Sequence, residues 1–320
     1  MADNPTCGRY VLGDWGTSRL RLFLLEGDVV AATCEGPGVG ALAASPAAAR
    51  LQALADLIAP WTAGKLPISV FLSGMAGSRN GLIDVPYAEL PLRRETWFRK
   101  ATTLQTQSMH ITIAAGVRRS GDGKSPDVMR GEETQIFGAM QLDSALDRAL
   151  HTVVLPGTHS KWVALSDGAI TRFRSAVTGE LYALLRAHST LFRTDAVATP
   201  ARKVNDKEQS AGFSAGFERS AEVDGGLLTT LFEARAAQLL DARSQSWATG
   251  FLSGLLIGCE IREMGETFHT QDSICIIGDA KLTDLYEAVF ASRGVKTYAL
   301  DAEQSVLAGL HYLRKRLSER

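Results

Sequence analysis

The residues best placed to do chemistry are Gly13-Asp14-Trp15-Gly16-Thr17-Ser18, set between two apolar runs. A turn with glycine on both sides lets backbone N–H groups face an anion at close range. A carboxylate at a strand end can hold hydrated Mg2+, and Thr17 and Ser18 add hydroxyl donors. A plain hairpin made of turn-forming Asp, Gly and Ser would carry the same letters. A second run, Leu155-Pro156-Gly157-Thr158-His159-Ser160-Lys161, also lies between strand-like segments. Singly, each is a turn. As a pair they offer donors to two sides of one polyphosphate, which phosphoryl transfer requires. Gly278-Asp279-Ala280 ends the apolar run Ser273–Ile277 ahead of a helical pattern. A small-residue strand-to-helix turn is where a base or ribose can lie against backbone, although such junctions are common.

Elements must position these turns. Arg9–Trp15, Arg19–Gly27 and Asp28–Gly36 are apolar or alternating runs joined by short turns, which predicts a meander with at least the first pair antiparallel. Ser45-Pro46 opens a helical pattern through Ile58, and Ile68–Gly74 and His110–Val117 read as buried strands. Gly131–Leu150 reads as an amphipathic helix. A second strand cluster, His151–Gly157, His159–Gly168 and Ala169–Val177, repeats the opening pattern. Glu180–Phe192 reads as a helix, and Thr194–Gln209 as a polar loop. Helices are expected around Gly225–Leu239 and Gln245–Met264, then a strand at Ser273–Asp279, a helix at Lys281–Gly294, a strand at Val295–Leu300 and a last helix. Two halves that each open with a βββ meander point to an internal architectural duplication, divided near residue 150.

Composition narrows the function classes. The 320 residues suit two domains, and 45% hydrophobic with 22% charged residues is ordinary globular usage. With a formal net charge of −1 and no basic block, neither nucleic acid nor a membrane surface is an expected partner. No apolar stretch approaches the roughly 18 residues of a membrane span, and the N-terminus lacks a secretory core. Cys7, Cys34, Cys259 and Cys275 are widely spaced with no CxxC pair, as expected of reduced thiols in a cytoplasmic protein.

The order of the DWGTS hairpin, the PGT hairpin and the IIGDA turn resembles the phosphate-1, phosphate-2 and adenosine motifs of the actin/hexokinase/chaperone ATPase superfamily. Arg130-Gly131-Glu132-Glu133-Thr134-Gln135-Ile136-Phe137-Gly138 resembles the acidic helix start of glycerol-kinase-like sugar kinases. There an Asp is the base; the matching position here is Glu132, with Glu133 as the alternative. GDWGTSRLRLFLL, SGMAGSRNGLIDVPY, MRGEETQIFGA, LPGTHSKWV and FLSGLLIGCEI together resemble the 2-dehydro-3-deoxygalactonokinase family along nearly the whole chain.

The resemblance implies an α/β, two-domain actin-like ATPase fold (a duplicated ribonuclease H-like fold) with a central nucleotide cleft. Domain 1–150 would carry the phosphate-1 hairpin, acceptor loop and base helix. Domain 151–320 would carry the phosphate-2 hairpin and adenosine motif. It further implies an ATP- and Mg2+-dependent phosphotransferase acting on the 6-hydroxyl of 2-dehydro-3-deoxy-D-galactonate. Glu132 and Asp14 would be catalytic, with Asp14 ordering the metal. Gly16, Thr17, Ser18, Gly157, Thr158, Gly278, Asp279 and Ala280 would meet ATP.

A substrate carboxylate calls for a cation, and Arg79 in the Gly77–Gly81 loop is the first choice, because Arg binds carboxylates bidentately. Asn80 and Gly38 join it as substrate-side residues. A homodimer is compatible with the sequence. The alternatives are a kinase of a neutral hexose or amino sugar, and a nucleotide-dependent binding or regulatory protein. A regulator of this fold often adds a DNA-binding module, for which the ten residues before the first strand leave no room.

Other features are decoys. Gly121-Asp122-Gly123-Lys124-Ser125 ends like a P-loop, but Arg118 stands where the first glycine belongs and Pro126 follows. Gly36–Ala41 matches G-x-G-x-x-A, yet Pro37 and the lack of a later acidic strand end argue against a dinucleotide site. His159 has no metal-ligand partner at useful spacing. Trp97, Phe98, Phe213 and Phe217 read as core or interface.

Overall fold

The computed structural model describes residues 8–62, 67–119, 125–148, 150–192, 205–222, 226–268 and 273–319. Cys7 and most of the P-loop-like run at 121–125 lie outside them. The first half contains β1 (Arg9–Trp15), β2 (Arg19–Glu26), β3 (Val29–Pro37), α1 (Ala47–Thr62), β4 (Ile68–Gly74), β5 (Ala88–Glu89) and β6 (Leu92–Arg93). It continues with α2 (Arg94–Trp97), β7 (Thr102–Gln105), β8 (Met109–Ile113), β9 (Val117–Arg119), β10 (Asp127–Met129) and α3 (Glu132–Leu142). The second half holds β11 (His151–Leu155), β12 (Ser160–Ser166), β13 (Ala169–Ala176), α4 (Thr178–His188), α5 (Asp206–Ser220), α6 (Leu227–Leu231) and α7 (Glu233–Leu240). It closes with α8 (Gln245–Gly265), β14 (Ile274–Gly278), α9 (Ala280–Ser292), β15 (Thr297–Asp301) and α10 (Ala302–Ser318).

Two six-stranded sheets run β3-β2-β1-β4-β8-β7 and β15-β14-β11-β12-β13-β6, beside a small sheet β10-β9-β5. Both large sheets share a five-strand pattern, a meander in the order third-second-first and then two later strands (β3-β2-β1-β4-β8 and β13-β12-β11-β14-β15); the sixth strand is β7 beyond β8 in the first sheet and β6 beside β13 in the second. In the first sheet β1 pairs antiparallel with β2 and parallel with β4. Short turns permit only antiparallel neighbours, whereas α1 supplies the crossover a parallel pair needs. The duplication expected from the strand pattern is thus present in the sheet order.

The chain divides into two compact units, Met1–Val153 with Val163–Arg174 and Leu300–Arg320, and Val154–Trp162 with Ser175–Ala299. In the first, Leu20, Leu22, Val70, Leu72, Ile111 and Ile113 bury the sheet against Leu54 and Ile58 of α1. Helix α10 also packs on α3 there. A Cβ on Gly138 would collide with the Ser305 carbonyl, and one on Gly309 with the Thr134 carbonyl, so glycine is required for this crossing. In the second unit α8 is the buried centre, with Phe251, Leu252, Leu255 and Leu256 in its core.

Three expectations are corrected. Helix α3 stops at Leu142 because Asp143 turns extended and caps the next turn, its carboxylate accepting the Ala145 N–H at 2.9 Å. Nor is α3 amphipathic, since Glu133, Thr134 and Ile136–Met140 are all buried. Most of the expected loop at 194–209 lies outside the described residues, and its end is not loop, because α5 begins at Asp206; the expected helix at 225–239 is split at Phe232 into α6 and α7. Trp97 and Phe98 are buried core, as read from sequence.

Candidate active site

In the first unit the β1–β2 hairpin sets the frame. Its register places Asp14 opposite Arg21, and the Gly16 N–H closes the turn onto the Arg19 carbonyl at 2.9 Å. Thr17 and Ser18 are exposed at the tip. The Gly40 N–H donates to the Thr17 carbonyl at 2.9 Å, and a Cβ on Gly38 would strike the Thr17–Arg19 backbone. Gly38, expected on the substrate side, therefore packs on the Gly16–Arg19 turn itself.

Asp14 is partly buried. Arg21 donates to its Oδ2 at 2.8 Å, and the Ser73 hydroxyl lies 3.5 Å from Oδ1. Arg21 also reaches Glu303 of α10 at 3.4 Å. Sequence reasoning missed Arg21, although a tight turn between residues 15 and 20 already pairs positions 14 and 21. Next to Asp14, β4 ends in Gly74 at φ +76°, where a Cβ would be 2.7 Å from the Trp15 carbonyl oxygen. Gly131, at φ +112°, backs onto Gly74, its Cβ position 3.2 Å from the Gly74 Cα. Two glycines in conformations that side chains resist thus bring the head of α3 up to the Asp14 strand end.

The two acids at that head differ in environment. Glu132 is partly exposed and its Oε2 accepts the Arg130 N–H at 2.9 Å. Glu133 is 0% exposed, accepting the Gly131 N–H at 2.8 Å and facing the Thr134 hydroxyl at 3.0 Å. Burial, aided by the neighbouring Glu132 charge, pushes the Glu133 carboxyl up to about 8. A group closed to solvent cannot meet a substrate, so geometry leaves Glu132 as the accessible acid of the pair.

The Gly77–Gly81 loop is tied to α1 through a buried arginine. Arg50 of α1, itself buried, donates to the Gly81 carbonyl at 2.8 Å and also to the Leu42 and Ser45 carbonyls. Arg79 stands out from this loop, 90% exposed, paired with Asp84 at 3.4 Å; Asn80 beside it is exposed too. Neither is bonded to the Asp14 and Glu132 groups in the contacts described. Arg130 is different: it stacks on Tyr87 at 4.1 Å, donates to the Val85 carbonyl at 2.8 Å, and has no carboxylate partner among the described residues.

In the second unit Gly157 and Thr158 form the turn between β11 and β12. Gly157 is open above its Cα, while Gly179 of α4 lies so close beneath that a Cβ would strike the Gly157 carbonyl. The Glu180 N–H donates to the Thr158 carbonyl at 2.9 Å, and the Glu180 carboxylate holds His159 at 2.7 Å. Gly278 meets this loop, its Cβ position 3.6 Å from Pro156. Asp279 caps α9 by accepting the Leu282 N–H at 3.1 Å, and exposed Ala280 begins the helix. The structure therefore brings the PGT turn and the GDA turn together.

A family model for 2-keto-3-deoxy-galactonokinase matches residues 14–313. The chain belongs to that family. A curated kinase relative from Rhizobium meliloti (strain 1021), described as a probable 2-dehydro-3-deoxygalactonokinase, is 35% identical over 95% of this chain and 96% of its own. The 2-dehydro-3-deoxygalactonokinase of Escherichia coli (strain K12) is 33% identical over 94% of this chain and 96% of its own. A crystal structure of a candidate 2-dehydro-3-deoxygalactonokinase from Sinorhizobium meliloti superimposes with a TM-score of 0.83 at 32% identity, covering 96% of this chain and 99% of that one. The kinase-family fold is α/β of the actin-like ATPase type, as the sequence resemblance implied. Among the described residues no helix is long and apolar enough to cross a membrane.

Donor chemistry tests whether Mg2+ fits this kinase frame. Among the described residues no group of three or more His, Cys, Asp or Glu forms a cage. Mg2+ in phosphoryl-transfer sites rests on one or two carboxylates, phosphate oxygens and water. Asp14, fixed at a strand end beside an open turn, fits that role.

Proposed function

We propose that this enzyme transfers the γ-phosphoryl group of ATP to the 6-hydroxyl of 2-dehydro-3-deoxy-D-galactonate, a step of D-galactonate catabolism. The observation that carries the reading is the juxtaposition of Asp14 and the Glu132 helix head through Gly74 and Gly131, in a chain whose family match spans residues 14–313. Residues 1–150 would supply the metal carboxylate, acceptor loop and base, and residues 151–320 the second phosphate turn and the adenosine turn. The protein would work in the cytoplasm, alone or as a homodimer.

Glu132 takes the proton of the acceptor hydroxyl as its oxygen attacks the γ-phosphorus and ADP departs. Its accessible carboxylate at the head of α3 supports this role, and general-base assistance contributes about 10²–10⁴ in rate. Thr17 and Ser18 on one hairpin, with Gly16 closing its turn beside the phosphates, and Gly157 and Thr158 on the other donate hydrogen bonds to phosphate oxygens. Gly278, Asp279 and Ala280 lie against adenosine. Asp14 would hold Mg2+, which would neutralise charge on the transferring phosphates. Arg21 fixes the Asp14 carboxylate from behind, as the 2.8 Å ion pair supports. Arg79, with Asn80 beside it, receives the substrate carboxylate once it leaves Asp84, an exposed pair of low strength; Gly38 shapes the turn nearby.

The test is a panel of sugar acids, neutral hexoses and amino sugars assayed by coupled ADP release. The expected result is turnover of the keto-deoxy acid at least a hundredfold above any neutral sugar in kcat/KM. Preference for a neutral hexose overturns the substrate assignment, and nucleotide binding without turnover of any acceptor overturns the enzyme reading.

A further inference from the structure

Among the buried residues of helix α8 a single one is charged, Glu260, which is 4% exposed. A lone buried carboxylate is costly unless hydrogen bonds satisfy it, and a leucine here would be simpler. Glu260 has no cation partner among the described residues. Instead the Trp162 indole N–H donates to Oε1 at 2.8 Å and the Tyr286 hydroxyl donates to Oε2 at 2.7 Å. The Ser160 hydroxyl lies 3.1 Å from the Tyr286 oxygen, and the Ser160 and Thr178 side chains also bond the carboxylate. Burial raises the Glu260 carboxyl pKa, and these donors pull it back.

The origin of the donors is what matters. Ser160 and Trp162 open β12, directly after the Pro156–His159 turn. Thr178 opens α4, whose next residue, Gly179, lies against the Gly157 backbone, and whose Glu180 N–H holds the Thr158 carbonyl. Tyr286 sits in α9, the helix that Asp279 caps, and Gly278 before it touches Pro156. Two turns that would meet ATP, and the start of α4 packed on one of them, therefore converge on one carboxylate.

We propose that Glu260 is a positioning residue for the nucleotide, locking the Gly157–Thr158 turn, the start of α4 and the Gly278–Ala280 turn into one mutual geometry through Trp162, Tyr286, Ser160 and Thr178. This rests on the reading of those turns as ATP contacts. Trp and Tyr suit the task because their rings place a single donor rigidly at the end of a large buried side chain. A carboxylate suits it because its two oxygens accept several donors from different directions at once.

The test uses Tyr286→Phe and Glu260→Gln in the full chain. Tyr286→Phe removes the α9 link alone. Glu260→Gln keeps an acceptor for Trp162 but turns an amide N–H toward Tyr286. Both should weaken ADP binding by calorimetry, and raise the KM for ATP, about tenfold, while the KM for the acceptor stays within twofold. Leu252→Ala, in the core of the same helix, is the control; it lowers the melting temperature without moving the ratio of the two KM values. Thr158→Ala tests the underlying reading by the same calorimetry. If Thr158→Ala loses ADP affinity while Tyr286→Phe and Glu260→Gln keep it within twofold, the positioning role is wrong and the turn assignment stands. If the two network variants shift both KM values equally, the network serves stability alone and the proposal falls. If none of the three alters ADP affinity, the turn assignment and the proposal fall together.

Discussion

Glu133→Gln isolates the buried acid at the head of α3. With its carboxyl near 8 in the fold against 4.5 when free, Glu133 is protonated in the native state over a range where the unfolded chain is ionised. The folded pKa is raised, so the stability this group allows is fully present below the unfolded value and is lost as pH rises toward the folded one. Each pH unit in that window shifts stability by roughly 1.4 kcal/mol. Glutamine mimics the protonated acid, accepting the Gly131 N–H and donating to the Thr134 hydroxyl, but it does not titrate. The variant should therefore gain on the wild type by about 3 kcal/mol between roughly pH 5.5 and pH 7.5. Urea melts of both proteins across that range, compared by midpoint and slope, measure the gain. A difference that stays flat with pH would show that Glu133 is ionised in the fold throughout, and the desolvation argument would be refuted. Activity adds a second arm: Glu133→Gln should keep kcat within a few-fold, and its inactivation would move the base to this position.

Glu132→Gln should bind ATP and acceptor normally yet lose about 10²–10⁴ in kcat under saturating substrates; a loss of only a few-fold would leave α3 without a base. Asp14→Asn should fold normally and lose about 10²–10³ in turnover, whereas near-wild-type turnover at saturating Mg2+ and ATP would remove Asp14 from the site. Arg79→Ala should raise the KM for the acceptor at least tenfold with little change for ATP, and an unchanged acceptor KM would transfer carboxylate binding to Arg130, which stacks on Tyr87 and has no carboxylate partner among the described residues. Gly254→Ala should cost on the order of 1–3 kcal/mol of stability by forcing α8 from the Phe213 carbonyl; an unchanged denaturation midpoint would contradict that packing.

Much of the fold was legible in the sequence because strand alternation and short turns act locally. The βββ meanders and the turns at Gly16, Gly157 and Gly278 follow from residues close in the chain, whereas the sequence marked Ile68–Gly74 as a buried strand without its parallel place beside β1. Family membership was equally legible, since several motifs recur in order from Asp14 onward. What the sequence could not decide was set by partners distant in the chain. Helix α5 hid because Gly212 and Gly216 weaken its intrinsic signal; they are there because α8 crosses so closely, with Gly250 and Gly254 answering from the other side. Glu132 and Glu133 were indistinguishable as letters, both being good first-turn acids. Only the packing of α3 on α10 and of Gly131 on Gly74 buries one and leaves the other open. Burial depends on every element that closes over a side chain, and that information is not local to any stretch of sequence.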